Sequence, residues 1–126
     1  EILESTARLK LPESIKWPEL RERVEHVIDA LDIRKCADTR VSGCSGGEKR
    51  RLAVAAELLG DPYLLFLDEP TSGLDAFSAL NVMMILRKLA HTEGRTIVCT
   101  IHQPRASLMT VADQLVLLAD GLQIYT

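Results

Sequence analysis

The chain has 126 residues, 47% hydrophobic and 26% charged, with a formal net charge of −3, enough for one small domain or part of a larger one. The slightly acidic balance argues against a broad nucleic-acid footprint, no run of about 18 apolar residues is available to span a membrane, and the N-terminus lacks a signal pattern. Cys36, Cys44 and Cys99 are odd in number and form no C-x-x-C pair, which points to free thiols in a reducing compartment.

Residues 1–10 place Ile2, Leu3, Ala7 and Leu9 among charges, a helix that Pro12 ends. Pro18 suits the first turn of a second helix. There Leu20, Val24, Val27, Ile28 and Leu31 fall on one helical face, with Arg21, Glu22, Arg23 and Glu25 on the other. The stretch "RKCADTRVSGCSGG" breaks the periodicity and reads as a loop. A nearly all-apolar helix, "LAVAAELL", follows and closes at Gly60-Asp61-Pro62.

From residue 63 the pattern changes. The short apolar run "YLLFL" (63–67) ends in Asp68-Glu69-Pro70 and predicts a strand buried on both faces. Residues 76–91 return to helix, "TIVCTI" (96–101) predicts a second buried strand, and 104–112 a short helix. "QLVLLA" (114–119) predicts a third strand, with Asp120-Gly121 a hairpin turn into "LQIYT". Helices up to about residue 60, then alternating strand and helix, predict a parallel α/β sheet with an attached helical part.

Four short stretches carry chemistry. In "CSGGEKRR", Ser45 and Glu48 have the spacing of a capping box, which in isolation does no more than start a helix. Two consecutive glycines are harder to explain that way, since each costs about 1 kcal/mol in a helix relative to alanine. They do let a phosphate approach bare N–H groups at the positive end of the helix dipole. Lys49-Arg50-Arg51 is the one sharp basic cluster, and its default reading is a solvated helix face.

In "LLFLDEP", Asp68 and Glu69 stand at the carboxyl end of a strand, where open α/β sheets bind ligands. Successive side chains diverge there, so one acid can reach Mg²⁺ and the other polarise a water, unless both merely solvate the strand end. In "TSGLD", Asp75 could simply cap the next helix. His102 follows the second strand; a lone histidine is more often structural, but at this level it could donate to a γ-phosphate.

The order and spacing of "SGGE", the apolar strand with "DEP", "SGLD", and a strand ending in His together resemble the C-terminal half of an ATP-binding cassette nucleotide-binding domain. "VSGCSGGEKRR", "FLDEPTSGLD" and "TIHQPR" resemble the G subfamily, the white and pleiotropic-drug-resistance type of transporter. The resemblance runs through essentially the whole chain, including "ARLKLPES".

It implies a P-loop NTPase-type α/β fold with a partial parallel sheet. Residues 1–60 would be a portion of the helical subdomain, and 61–126 the C-terminal part of the RecA-like ATPase core. Ser45, Gly46, Gly47 and Glu48 match the signature loop, which binds ATP held by a partner domain; Cys44 takes the place of its usual aliphatic first residue. Asp68 matches the aspartate that holds Mg²⁺, through water, and Glu69 the catalytic base. Ser72, Gly73, Leu74 and Asp75 match the D-loop at the dimer interface, and His102 the switch histidine that senses the γ-phosphate. The implied cofactors are ATP and Mg²⁺. The implied partners are a second nucleotide-binding domain and the transmembrane domain of the same transporter, not nucleic acid, and the implied location is the cytoplasmic face of a membrane.

No G-x-x-x-x-G-K-[ST] loop occurs, and the glutamines (Gln103, Gln114, Gln123) all follow the signature, so the family's phosphate loop and glutamine loop are both missing. A fragment of one such domain is therefore expected, with no ATP affinity of its own. Two other readings fit less well. A soluble cassette ATPase of the chromosome-maintenance or DNA-repair class shares SGGE, but "EPTSGLD" and "IHQPR" are transporter-like and no heptads flank the motifs. A non-catalytic piece offering only its signature face would bind a partner and turn nothing over.

Overall fold

A computed structural model describes residues 1–125. Helix α1, Ile2–Lys10, buries Leu3 and Ala7, one turn apart, and ends where Leu11 turns extended ahead of Pro12. Helix α2, Trp17–Ala30, carries Pro18 in its first turn and buries Leu20, Val24, Val27 and Ile28; Leu31, just past its end, is 1% exposed. The two helices are clasped at the surface by Trp17, whose ring has the Arg8 and Arg21 guanidinium carbons 4.5 and 5.3 Å from its centroid. The segment read as a loop contains two single 3₁₀ turns, Arg34–Cys36 and Val41–Gly43. Helix α3, Gly46–Leu58, then packs Val54, Ala55 and Leu58 inward.

Strand β1, Leu64–Leu67, and strand β2, Thr96–Cys99, pair in parallel with Leu67 opposite Cys99. The crossover between them is helix α4, Ala76–Glu93, which buries Ala79, Val82, Met83, Leu86 and Leu89 and stops at Gly94 in the left-handed conformation (φ 63°), a conformation that suits glycine. These side chains join those of α1–α3 in one core, with Leu31, Leu59 and Val82 fully enclosed.

Two expectations are corrected. The paired strands are not buried on both faces: Leu65 is 5% exposed, but Phe66 is 72% and Val98 45% exposed. The reason is one-sided packing, since α4 covers one face and no described residue covers the other. The third strand does not join the parallel sheet. It shortens to β3, Leu117–Ala119, and pairs antiparallel with β4, Leu122–Tyr125, as a separate hairpin. Asp120 and Gly121 both adopt positive φ (49° and 77°), the signature of the tight turn that favours local antiparallel pairing. The short helix α5, Ala106–Met109, is narrower than 104–112, while α4 runs two residues past 91.

Candidate functional site

The N-terminus of α3 has the expected capping box in both directions. The Ser45 N–H donates to Glu48 Oε2 at 2.7 Å, and the Glu48 N–H donates to Ser45 Oγ at 3.3 Å. The Ser45 backbone N–H, and after it the Ser45 hydroxyl, hold the Glu48 carboxyl below its ordinary range. The cap uses Ser45 Oγ as acceptor from the Glu48 N–H. Gly46 and Gly47 occupy the first turn, where helix geometry supplies no intrahelical acceptor for the N–H.

The glycines also have an intramolecular reason. A Cβ on Gly46 would lie 3.1 Å from Leu74 Cδ2, and one on Gly47 would lie 3.6 Å from Ser78 Cβ. The start of α3 is thus pressed against the turn that opens α4. Arg50 strengthens this contact by donating from Nη2 to the Ser72 carbonyl at 3.3 Å. The basic cluster is therefore not only a solvated face.

Asp75 is the N-cap of α4 and accepts from the N–H groups of Phe77 and Ser78, both at 3.0 Å. The Ser78 hydroxyl foremost, with those N–H groups, lowers its pKa. The bland reading of Asp75 as a helix cap therefore holds in the structure. The preceding turn is closed by Ser72 N–H to Glu69 O at 3.1 Å and Leu74 N–H to Thr71 O at 3.3 Å, with Gly73 at φ 74°.

Asp68 and Glu69 follow β1 directly, and both are exposed. A residue that the motifs did not single out joins them. Thr100, just past β2, donates from Oγ1 to Asp68 Oδ1 at 2.5 Å and accepts from the Glu69 N–H at 2.9 Å. The parallel register, Leu67 opposite Cys99, puts Asp68 level with Thr100. A hydroxyl one residue beyond the neighbouring strand was the signal that could have found it.

Glu69 sits at φ 45° and Gln103 at φ 50°. Asp32, Asp61 and Asp120 also have positive φ, but aspartate tolerates that region, whereas long side chains do so at a cost of order 1–3 kcal/mol. Strain of this kind clusters at functional sites, and here it falls on Glu69 of the acidic pair and on Gln103 next to His102. His102 opens into a small cleft of ≈ 130 Å³ shared with Thr71, Leu74, Gln103 and Arg105. The turn of residues 71–75 thus touches both the start of α3 and the His102 cleft. Among the described residues, no hydrogen bond joins Ser45–Glu48 to Asp68, Glu69 or His102.

The fit to nucleotide and metal follows from donor chemistry. Asp68 Oδ1 is held by Thr100, which leaves Oδ2 as an oxygen ligand of the hard type that Mg²⁺ takes. First-turn N–H groups without an intrahelical acceptor suit a phosphate.

A βαβ unit with acidic residues at its carboxyl edge, beside a helical layer whose last helix presents Ser-Gly-Gly, fits the cassette fold expected from the sequence. Comparison with known proteins agrees. The family model for ABC transporters matches residues 2–72. ABC transporter G family member 1 of Dictyostelium discoideum is 46% identical over 132 aligned positions, covering 99% of this chain and 16% of that protein. Mouse broad substrate specificity ATP-binding cassette transporter ABCG2 is 42% identical, covering 99% of this chain and 20% of that protein. The Drosophila melanogaster protein white is 44% identical over 91% of this chain.

A dimeric ATP-binding cassette in a post-hydrolysis state, bound to ADP and Pi, superposes with TM-score 0.75 at 24% identity, covering 98% of this chain and 53% of that one. cbiO1 from Clostridium perfringens, part of an ABC transporter complex, superposes with TM-score 0.72 at 28% identity, covering 80% of this chain and 41% of that one. The chain belongs to the ABC transporter family, with G-type relatives, and spans less than a fifth of the length of the first relative.

Proposed function

We propose that this chain is part of the ATP-binding and hydrolysing domain of a G-type transporter that couples ATP hydrolysis to export across a membrane. The observation that carries the reading is the Thr100 clamp, which fixes Asp68 and strained Glu69 together at the carboxyl edge of a cassette sheet. The named transporters among the relatives favour this over a soluble cassette ATPase.

In this reading Glu69 acts as general base, orienting and deprotonating the attacking water. The Thr100 hydrogen bond holds the Glu69 backbone at the strand end. Asp68 holds Mg²⁺ through water; when bound, the ion neutralises phosphate charge. His102 donates to the γ-phosphate from the wall of its cleft. Ser45, Gly46, Gly47 and Glu48 receive the phosphates of ATP held by a second nucleotide-binding domain, and Ser72, Gly73, Leu74 and Asp75 lie at the seam between the two domains.

Closure is then a population shift, because nucleotide bridging two domains binds the closed state better than the open one. The other partner is the transporter's transmembrane domain, which places this domain at the cytoplasmic face of a membrane. No helix among the described residues is itself long and apolar enough to cross one.

The test is Glu69→Gln in the full-length protein. Turnover should fall to background while ATP-dependent pairing of the domains persists. Undiminished hydrolysis in that variant would overturn the role given to Glu69. For the 126-residue chain alone, titration with labelled ATP should show no measurable binding.

A further inference from the structure

We propose that Cys36, Cys44 and Glu48 form a binding site for a thiophilic divalent cation of the zinc class, built into the loop that leads into α3. The two sulfurs and a carboxylate oxygen all lie within 4.8 Å of one another. A tetrahedral ion with bonds of about 2.0–2.3 Å needs its ligand atoms roughly 3.5–3.8 Å apart, so closing the site takes side-chain rotation and no change of fold. Three separate pieces of backbone converge to make it: Cys36 ends one 3₁₀ turn, Cys44 follows the next, and Glu48 lies in the first turn of α3.

Each donor is free to change partner. Both cysteines are unpaired. The Cys36 thiol donates to the Ile33 carbonyl at 3.3 Å, and the Cys44 thiol to the Arg40 carbonyl at 3.6 Å, weak contacts whose loss costs little. Glu48 uses Oε2 in the capping box and keeps Oε1 for a ligand.

Burial foremost, and then the Glu48 carboxylate and Cys44, push the Cys36 thiol up. A cation among these groups reverses that penalty. Arg51 is the opposing positive charge, and once both thiols have lost their protons three anionic donors outnumber it. Two sulfurs against one oxygen select zinc or cadmium over magnesium or calcium. This separates the site from the one at Asp68.

Binding is ligand exchange without redox change. Cys36 Sγ and Cys44 Sγ each release a proton to solvent, the two thiolates and Glu48 Oε1 bond to the ion, and a water completes the fourth position.

The test uses cobalt(II) as the probe, added to the full-length protein after reduction and removal of metals. One cobalt per chain should produce the absorption band of thiolate-to-cobalt charge transfer, and zinc should bleach it. Cys36→Ser and Cys44→Ser should each abolish the band with an unchanged circular dichroism spectrum, and Glu48→Gln should weaken cobalt binding at least tenfold. In the unmutated protein, zinc should protect Cys36 and Cys44 from alkylation, mapped by peptide, while Cys99 labels at an unchanged rate. Absence of the band, its survival in both cysteine variants, or alkylation of Cys36 and Cys44 unaffected by zinc would overturn the proposal. So would a Cys36–Cys44 disulfide in protein that takes up no cobalt.

Discussion

Arg50 reaches from the first turns of α3 to the backbone carbonyl of Ser72, 22 residues away in sequence and 3.3 Å away in space. With Leu74 against Gly46, it ties the start of α3 to the turn connecting β1 with α4. Removing the tie should loosen the turn without unfolding the domain. In Arg50→Ala, amide exchange of residues 71–75 should accelerate several-fold, while global stability stays within about 0.5 kcal/mol, as for an exposed side chain outside the core. Unchanged exchange in that turn would show the contact to be incidental.

Thr100 holds both acids through one hydroxyl. Thr100→Val keeps the shape of the side chain but removes the donor to Asp68 and the acceptor for the Glu69 N–H. Turnover of the full-length protein should fall by roughly tenfold to a hundredfold, because small misplacements of catalytic groups have effects of that size. Thr100→Ser should recover most of it. Steady-state hydrolysis of all three proteins, with KM recorded separately, checks this. Equal rates for Val and Ser would refute the clamp.

Three carboxylates titrate below their ordinary values: Glu48 through the Ser45 N–H and Asp75 through Ser78, both at helix starts, and Asp61 through the Arg95 guanidinium. A depressed folded-state pKa contributes stability that is complete above the unfolded value and disappears as pH falls through the folded one. Thermal stability should therefore decline progressively below about pH 4.5, the ordinary value for glutamate. Glu48→Gln with Asp75→Asn preserves capping geometry, since Gln and Asn serve the same positions, and should flatten that acid limb. Melting curves from pH 6 to pH 3 measure the slope for both proteins.

Burial separates two apolar side chains that lie seven residues apart. Leu59 is 1% exposed and Phe66 is 72% exposed. Leu59→Ala should cost about 2–5 kcal/mol through the cavity it leaves. Phe66→Ala should change the stability of the isolated chain by no more than about 0.5 kcal/mol. Denaturant unfolding of the 126-residue chain distinguishes them, and a large loss for Phe66→Ala would show that its face of the sheet is covered in solution.

By itself the sequence determined the local elements and their chemistry. The apolar spacing of α2, the Ser45–Glu48 cap, the Asp75 cap, the acids ending β1 and the Asp120-Gly121 turn all depend on residues within a few positions of one another, where side-chain period and backbone preference decide the outcome. Tertiary structure decided what depends on partners distant in the chain. Only strand register put Thr100 on Asp68 and Glu69, and only the approach of α3 to α4 gave Arg50 the Ser72 carbonyl and Gly46 its neighbour Leu74. Which strand faces were covered was likewise not encoded locally, since an apolar run reads the same whether a helix packs on one side of it or on both.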